Sequence, residues 1–138
     1  MAEGRLKTPP RALVRAALKH DSADKHVAGS ALYVDDVPEP RRLLHLALGL
    51  SERAHARLTG LDLARVRAAP GVVCVLTAAD IPGANDVSPF SADEPMFADM
   101  ETMFHGQALF AVCAETREQA IAAAALAEVS YDDLPPLL

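Results

Sequence analysis

Residues 107–127 read QALFAVCAETREQAIAAAALA and carry the clearest structural signals in the chain. The first part, residues 107–114, is an apolar run of strand length. Thr116, followed three residues later by Gln119, forms a capping box, which begins a helix by bonding its first free backbone N–H groups. The alanine-rich run after it favours helix to about Ala127. The stretch therefore predicts a strand followed directly by a helix.

Further strands are predicted on the N-terminal side of this unit and after it. They cover residues 31–36, 43–50 and 72–77, and the last lies in EVSYDDLPP at 128–136, where the prolines halt it. The run at 43–50 is apolar almost throughout, which is typical of a strand that is covered on both faces at the centre of a sheet. Between the second and third of these strands, Asp62 is a suitable N-cap for a short helix over residues 63–69, with Leu63 and Val66 facing inward.

This alternation predicts an α/β (α+β) domain with a small mixed sheet and two main helices packed on one face. In the second helix, Ile121, Ala124 and Ala125 follow helical spacing, and small residues allow a helix to approach a sheet closely. Residues 80–101 contain six acidic residues, three prolines and neither Lys nor Arg. This composition predicts a long, exposed, acidic loop.

Composition sets the size and general class of the protein. A length of 138 residues suits one domain, and 51% hydrophobic with 23% charged residues is typical of a chain that folds. Basic residues are concentrated at the start, so we predict a basic tail over residues 1–19 and the folded domain over residues 20–138. A net charge of -6 without tryptophan argues against nucleic-acid binding.

No segment approaches the roughly 18 uninterrupted apolar residues of a membrane helix. The N-terminal region also lacks the apolar run of a secretory signal and carries Pro9 and Pro10 instead. We therefore expect a cytoplasmic protein without a membrane partner.

The two cysteines, Cys74 and Cys113, lie far apart in the sequence, each within an apolar run predicted to be a strand. They do not form the Cys-x-x-Cys spacing of zinc and iron–sulfur sites. We predict buried, reduced thiols and no disulfide, in keeping with a cytosolic protein.

A polar cluster near the N-terminus could suggest a metal site. It contains His20, Asp21, Asp24 and His26. Because no regular element aligns these side chains, we interpret the cluster as the polar start of a strand and predict no metal. The acidic pairs Asp35-Asp36 and Asp132-Asp133 are interpreted as turn and surface residues, since neighbours on a strand point to opposite faces.

A polar break formed by His105, Gly106 and Gln107 separates the acidic loop from the strand at 107–114. Two interpretations stay open with equal weight: docking to a neighbouring domain, or a tight turn that uses the conformational freedom of Gly106. No phosphate-binding loop, nucleophile elbow or Cys/His triad pattern occurs in the sequence.

The stretch HDSADKHVAGSALYVDDVPEP at residues 20–40 resembles the opening of the molybdenum-cofactor subunit in the xanthine dehydrogenase and aldehyde oxidase family. There, a His-x-Ser-Ala element leads to Gly-x-Ala-x-Tyr-x-Asp-Asp-x-Pro. The matching positions are His20, Ser22, Ala23, Gly29, Ala31, Tyr33, Asp35, Asp36 and Pro38. The resemblance continues, in the same order, through residues 54–83, 104–116 and VSYDDLPPLL at 129–138.

This resemblance implies the α/β domain called the hammerhead, a structural part of a molybdenum hydroxylase. Such enzymes use molybdopterin, iron–sulfur clusters and FAD, and their base and cofactor contacts lie C-terminal to this domain. The resemblance therefore assigns no catalytic, cofactor-binding or metal-binding residue to this chain, and we expect the 138 residues alone to be inactive. Its partners would be the remaining molybdopterin domains and the iron–sulfur and FAD subunits.

The His-Asp-Ser-Ala opening at residues 20–23 resembles the xanthine dehydrogenase branch, which implies hydroxylation of xanthine or hypoxanthine. The equivalent domain of an aldehyde oxidase or carbon monoxide dehydrogenase is an alternative. A self-standing module that binds a basic protein through the 80–101 loop is another.

Overall fold

The computed structural model describes residues 17–91 and 93–135 of the chain. Backbone contacts divide the chain into two units, Met1–Glu39 and Pro40–Leu138. The predicted basic tail lies almost wholly outside the described residues, so the boundary at residue 20 stays a prediction.

The described part of the first unit contains one short helix and one 3₁₀ turn. Helix α1 spans Ala23–Val27 and the turn spans Val34–Asp36. The predicted strand at 31–36 is therefore wrong, and so is the interpretation of the preceding polar cluster as the start of a strand. The Tyr33 backbone N–H donates to a carboxylate oxygen of Asp36 at 3.0 Å. Such local bonding gives the backbone an alternative to a strand.

The described part of the second unit contains six strands and two helices. The strands are β1 (His45–Leu50), β2 (Ala56–Asp62), β3 (Val72–Thr77), β4 (Glu101–Thr102), β5 (Ala108–Ala114) and β6 (Glu128–Asp133). The helices are α2 (Ala64–Arg67) and α3 (Arg117–Ala124), and a 3₁₀ turn covers Ala78–Asp80. The predicted strand at 72–77 is confirmed without change, and the one at 43–50 begins two residues later than expected. The predicted strand in 128–136 is present and ends at Asp133, before the prolines.

The predicted fold class, helices combined with small sheets, is confirmed, and the strand pairing is simpler than expected. The strands form two three-stranded sheets, sheet A in the order β1-β5-β3 and sheet B in the order β4-β2-β6. All pairs are antiparallel, whereas we expected one mixed sheet. Parallel neighbours need crossover connections of about a dozen residues or more. The helices available here have only four and eight residues.

Strand β5 is the centre of sheet A. It pairs with β1 on one side and with β3 on the other. Five of its seven residues are at most 1% exposed, namely Leu109 to Val112 and Ala114. The prediction that 43–50 forms the central strand is wrong, because β1 lies at the sheet edge with only one neighbour. Its leucines are apolar without being covered on both faces.

Helix α3 begins where the sequence predicted, whereas α2 has Leu63 rather than Asp62 at its N-cap position and spans Ala64–Arg67 instead of residues 63–69. The Gln119 backbone N–H donates to the Thr116 hydroxyl at 3.2 Å, and the Thr116 N–H donates to the Gln119 side-chain oxygen at 3.0 Å, which confirms the capping box. At α2, the Ala64 N–H donates to the Asp62 carboxylate at 2.8 Å, and Val66 is fully buried as predicted.

The face that α3 turns toward the sheet differs from the prediction. Ala120 and Ala123 are buried, whereas Ile121 is 54% exposed and Ala125 is exposed. The helix also ends at Ala124, three residues earlier than expected. The small buried alanines let α3 lie close to β1 and β5. Helix α3 therefore approaches the sheet closely, as expected, but through Ala120 and Ala123 instead of the predicted residues.

The core lies between sheet A, the two helices and sheet B. Its buried cluster comprises Leu63, Val66, Val75, Ala98, Leu109, Phe110, Val112 and Ala123, with Leu58, Leu61, Val129 and Tyr131 of sheet B packed against it. Phe110 is the largest fully buried side chain, and its ring lies directly against the backbone of Gly49 on β1. A glycine inside a strand often marks such a close approach.

Replacing Gly49 by Ala is expected to destabilise the protein by about 2 kcal/mol. The new Cβ would overlap the ring of Phe110, which is 1% exposed and would have to leave its packed position in the core. Urea unfolding monitored by far-UV circular dichroism measures the loss.

The matched control is Gly60→Ala on β2, where a Cβ would lie 3.5 Å from the Ser130 side chain in ordinary contact. This variant is expected to stay within about 0.5 kcal/mol of the parent chain. Equal midpoints for the two variants would show that Gly49 is not held against Phe110.

Candidate functional site

The predicted docking segment, His105 to Gln107, forms a tight turn that is bonded to the loop after β1. The Gly106 N–H donates to the Ser51 carbonyl at 2.9 Å, and the Ser51 N–H donates to the Gln107 carbonyl at 2.8 Å. Gly106 has a φ of 87°, in the region that favours glycine. The tight turn is therefore present in the structure.

The two side chains of this segment, those of His105 and Gln107, face different environments. Gln107 is 5% exposed, and its side-chain oxygen accepts the Met103 backbone N–H at 2.8 Å, so this side chain holds the turn together from inside. His105 is exposed, as are Met103 and Phe104 next to it. Docking by this segment stays a prediction. Of its two side chains, only that of His105 is exposed and available to contact a neighbouring domain.

A larger exposed apolar surface occurs on sheet A, where the sequence indicated a covered strand. Residues paired across antiparallel strands point to the same face. The face turned away from the helices carries Leu46, Leu48, Cys74, Leu76, Ala111 and Cys113, and we call it the open face. Leu46 is 57% and Leu48 47% exposed, while Ala111 between the leucines of its neighbours is buried.

The sequence does not reveal the open face, because a strand covered on one face and a strand covered on both faces can have the same continuous apolar run. Exposed contiguous apolar surface of this kind is typical of contact sites between proteins or domains. Sheet A therefore contains the strongest candidate docking surface in the described part of the chain.

The two cysteines meet on the open face. Cys74 of β3 is the register partner of Cys113 of β5. Both thiols are free, Cys74 is exposed and Cys113 is half-buried, so the prediction of two buried thiols is wrong for Cys74. Partial burial, together with the neighbouring Cys74 thiol, raises the pKa of Cys113.

His55 joins three parts of the second unit. Its Nε2 lies 2.8 Å from a carboxylate oxygen of Glu101 on β4, and its Nδ1 hydrogen-bonds to the Pro135 carbonyl. The imidazole is only 13% exposed. The Pro135 carbonyl first, and then the Glu101 carboxylate, raise the pKa of His55 above its usual value, because both accept hydrogen bonds from the charged ring and so stabilise it.

The acidic loop is partly tied down. Across the loop, Asn85 makes two hydrogen bonds with the backbone of Phe97, at 2.7 and 3.0 Å, and Phe97 and Ala98 are buried. The Ser88 backbone N–H, together with its hydroxyl, lowers the pKa of Asp86. Most of the other described side chains in residues 81–100 are exposed, and this range contains no helix or strand among its described residues.

The carboxylates singled out from the sequence have local structural partners. Asp132 and Asp133 on β6 lie 3.8 and 3.2 Å from the guanidinium groups of Arg57 and Arg53. Asp80 accepts both the backbone N–H and the hydroxyl of Thr77 at 2.8 Å, and the hydroxyl bond contributes most to lowering its pKa. These contacts give the carboxylates structural roles, so no catalytic role is needed to account for them.

The N-terminal polar cluster is organised around a tyrosine. The Tyr33 hydroxyl lies 2.6 Å from Nδ1 of His26, and the rings of His20 and His26 meet edge to face. Within residues 17–91 and 93–135, no group of three or more His, Cys, Asp or Glu side chains is arranged to hold a metal ion. Over the same residues, none of the helices is long and apolar enough to cross a membrane.

Comparison with known proteins places this fold. The sequence profile of the aldehyde oxidase and xanthine dehydrogenase a/b hammerhead domain matches residues 28–135. Because this match covers most of the chain, the protein belongs to the aldehyde oxidase and xanthine dehydrogenase a/b hammerhead domain family.

Individual relatives agree with this placement. The chain is 39% identical over 129 residues to a xanthine dehydrogenase of Dictyostelium discoideum, covering 94% of this chain and 9% of the relative. It is also 39% identical over 132 residues to aldehyde oxidase 4 of Mus musculus, covering 96% of this chain and 10% of the relative. The chain thus spans about a tenth of the length of these relatives.

Solved structures show the same fold. The aldehyde oxidoreductase of Desulfovibrio desulfuricans superposes with a TM-score of 0.74 and 32% identity, covering 83% of this chain and 14% of that one. A Cu,Mo-containing CO dehydrogenase superposes with a TM-score of 0.75 and 34% identity, covering 88% and 16%.

The raised pKa of His55 predicts how stability depends on pH. The protonated ring is favoured in the folded chain, so its contribution is complete below the unfolded pKa of about 6.5 and is lost as the pH rises through the higher folded value. The difference in Tm between the parent chain and His55→Gln should therefore shrink as the pH rises above about 6.5.

Thermal unfolding followed across this pH range checks the effect. The matched control is His105→Gln, which replaces an exposed histidine in the 103–107 turn and should give a curve parallel to that of the parent. A Tm difference for His55→Gln that stays constant with pH would rule out the proposed effect of its protonation.

Proposed function

We propose that this chain is the hammerhead domain of a molybdenum hydroxylase of the xanthine dehydrogenase type, which hydroxylates xanthine or hypoxanthine with oxygen from water. The proposed assignment to the xanthine dehydrogenase branch rests on the His-Asp-Ser-Ala sequence at residues 20–23. Overall identity supports the family without separating the branches, because a xanthine dehydrogenase and an aldehyde oxidase match equally well.

In this proposal the chain shapes and supports the enzyme while other domains carry out the chemistry. The proposed parent enzyme uses molybdopterin, iron–sulfur clusters and FAD. The described residues of this chain do not fit such groups, because no buried side-chain polar atom among them lacks a hydrogen-bond partner, and the carboxylates of Asp80 and Asp133 are already engaged in a turn and an ion pair. We assign no step of the reaction to a residue of this chain. A cytoplasmic location is part of the same proposal.

The open face of sheet A supports a second element of the proposal, a partner. We infer that the remaining molybdopterin-binding polypeptide packs against this face, since relatives extend far beyond the part that this chain matches. Leu46, Leu48 and Leu76 would lose contact with water in that arrangement. Burial of apolar surface stabilises association by roughly 25 cal/mol per Å² before the entropic costs are subtracted.

The self-standing acidic module remains the second candidate because the 81–100 range is mostly exposed and rich in carboxylates. However, Asp80 and Asp86 accept hydrogen bonds from their own turns, and a tethered carboxylate is less available to a basic partner. Solvation and turn formation account for these acids.

The activity is tested by expressing this chain together with the reading frames that adjoin it and assaying the purified assembly. Oxidation of xanthine and hypoxanthine is expected, and the 138-residue chain alone should show none. Turnover of aldehydes or carbon monoxide without turnover of xanthine would move the protein to another branch. Turnover of xanthine by the isolated chain would contradict the assignment of the chemistry to other domains.

Substitution on the open face tests the docking surface. Leu46→Asn and Leu48→Asn should leave the stability of the isolated chain within about 0.5 kcal/mol, because both side chains are about half exposed. In the assembled enzyme, an amide buried without partners costs about 1–3 kcal/mol, so assembly should weaken roughly tenfold or more.

Co-purification with the remaining molybdopterin-binding polypeptide measures this loss. Val87→Asn is the matched control, since Val87 is 54% exposed but lies in the acidic loop. Unchanged assembly of both leucine variants, together with weakened assembly of Val87→Asn, would move the contact from sheet A to the loop.

A further inference from the structure

Cys74 and Cys113 are the only cysteines in the sequence, and the fold brings them opposite each other from positions 39 residues apart. They lie on neighbouring antiparallel strands, β3 and β5, and both belong to the open face. Cys74 is exposed and Cys113 is half-buried. Solvent therefore has access to one member of the pair, and the other lies directly beside it.

The strand geometry suits a covalent bond between the two sulfur atoms. Residues that are directly opposite on antiparallel strands have Cα atoms about 4.5–5.5 Å apart, and their side chains point to the same side. Disulfides span Cα separations of about 4.4–6.8 Å. The two thiol groups lie close enough that the neighbouring Cys74 thiol raises the pKa of Cys113.

A local irregularity in β3 gives the pair room to adjust. The register shifts between Val72 and Cys74, so that Val73 has no partner on β5 and is 57% exposed. An extra residue of this kind disrupts the ladder locally and re-aims the neighbouring side chain. The backbone beside Cys74 can therefore shift by the small amount that a sulfur–sulfur bond requires, while the paired residues Val75 to Thr77 keep their register.

We propose that Cys74 and Cys113 are a thiol modification site, in which the two side chains form a reversible disulfide across β3 and β5. The oxidant in this proposal is a small-molecule disulfide such as oxidised glutathione. The proposal concerns the chain while its open face is uncovered, before the remaining molybdopterin-binding polypeptide packs against it, and does not depend on the branch or substrate of the parent enzyme.

The reaction takes place in two exchange steps. The Cys74 thiolate attacks one sulfur of oxidised glutathione, forms a mixed disulfide and releases one glutathione thiolate. The Cys113 thiolate then attacks the Cys74 sulfur and releases the second glutathione thiolate. The two protons lost by the cysteines are taken up through solvent by the released thiolates. Two electrons pass from the cysteine pair to the glutathione disulfide.

The order of the steps follows from exposure and charge. Cys74 is the exposed member and can be reached by a bulky oxidant, whereas Cys113 is flanked by Cys74 on one side and Leu46 on the other. Burial and the neighbouring thiol raise the pKa of Cys113, which keeps it in the less reactive thiol form. Cys113 is therefore suited to the second step, where its target is already beside it.

The bond has a structural consequence. It would link the edge strand β3 to the central strand β5 and close a loop that contains the whole acidic segment of residues 80–101. Closing a long loop restricts the unfolded chain and stabilises the folded one. The oxidised chain should therefore unfold at a higher temperature than the reduced chain, by roughly 5–10 °C.

The test exposes the purified 138-residue chain to oxidised glutathione and follows free thiols and intact mass. The parent chain should lose both thiols, decrease in mass by two hydrogen atoms, stay monomeric and regain both thiols with dithiothreitol. Cys113→Ser should stop at a stable glutathione adduct on Cys74. Cys74→Ser should react at Cys113 at least about tenfold more slowly.

Two measurements keep the result interpretable. The Tm of each reduced serine variant should match that of the reduced parent, which shows that the variants fold, and only the parent should gain Tm on oxidation. Three outcomes would each overturn the proposal. They are glutathione retained on Cys74 of the parent chain, disulfide-linked dimers in place of an internal bond, and no loss of thiols.

Discussion

Backbone hydrogen bonds on both sides of strand β5 hold the two edge strands of sheet A in place, and the rest of the second unit is built around them. The burial of Phe110 and Val112 against the helices makes this strand the most enclosed element of the described chain. Phe110 in turn requires the bare backbone of Gly49 on β1. The core therefore depends on one aromatic ring and one glycine that meet across a strand pair.

The helices cover only one face of sheet A, and this asymmetry determines the surface of the domain. Helix α3 lies against β1 and β5 through small alanines, so one side of the sheet is closed. The open face keeps leucines about half exposed beside a pair of thiols. Apolar surface of this kind gains free energy when another protein surface covers it, which suits a domain found within much larger relatives.

Polar residues in the described chain serve mainly to fasten turns and sheet ends. Gln107 closes a turn from inside, and His55 joins Glu101 to the Pro135 carbonyl at one end of sheet B. Asp80 caps the turn after β3. Residues of these types are common in active sites, yet here each is satisfied by a neighbour in the fold. A supporting domain and a catalytic one can therefore contain the same residue types.

Local signals in the sequence determined much of the fold. The capping box at Thr116 and Gln119, the bond from Asp62 to the start of α2 and the strand at 72–77 all act between residues close in sequence, so their patterns could be interpreted directly. The ordered family motifs likewise identified the domain. The tight turn at Gly106 was one of two interpretations that the sequence left open.

Only the tertiary structure decided which apolar strand is central and which surfaces stay exposed. An apolar run indicates that a strand packs against something, but the number of its neighbours depends on pairing between distant segments. For that reason β1 was wrongly placed at the centre, and the meeting of Cys74 with Cys113 could not be predicted. The register of β3 against β5 brings these thiols together, and no local pattern encodes that register.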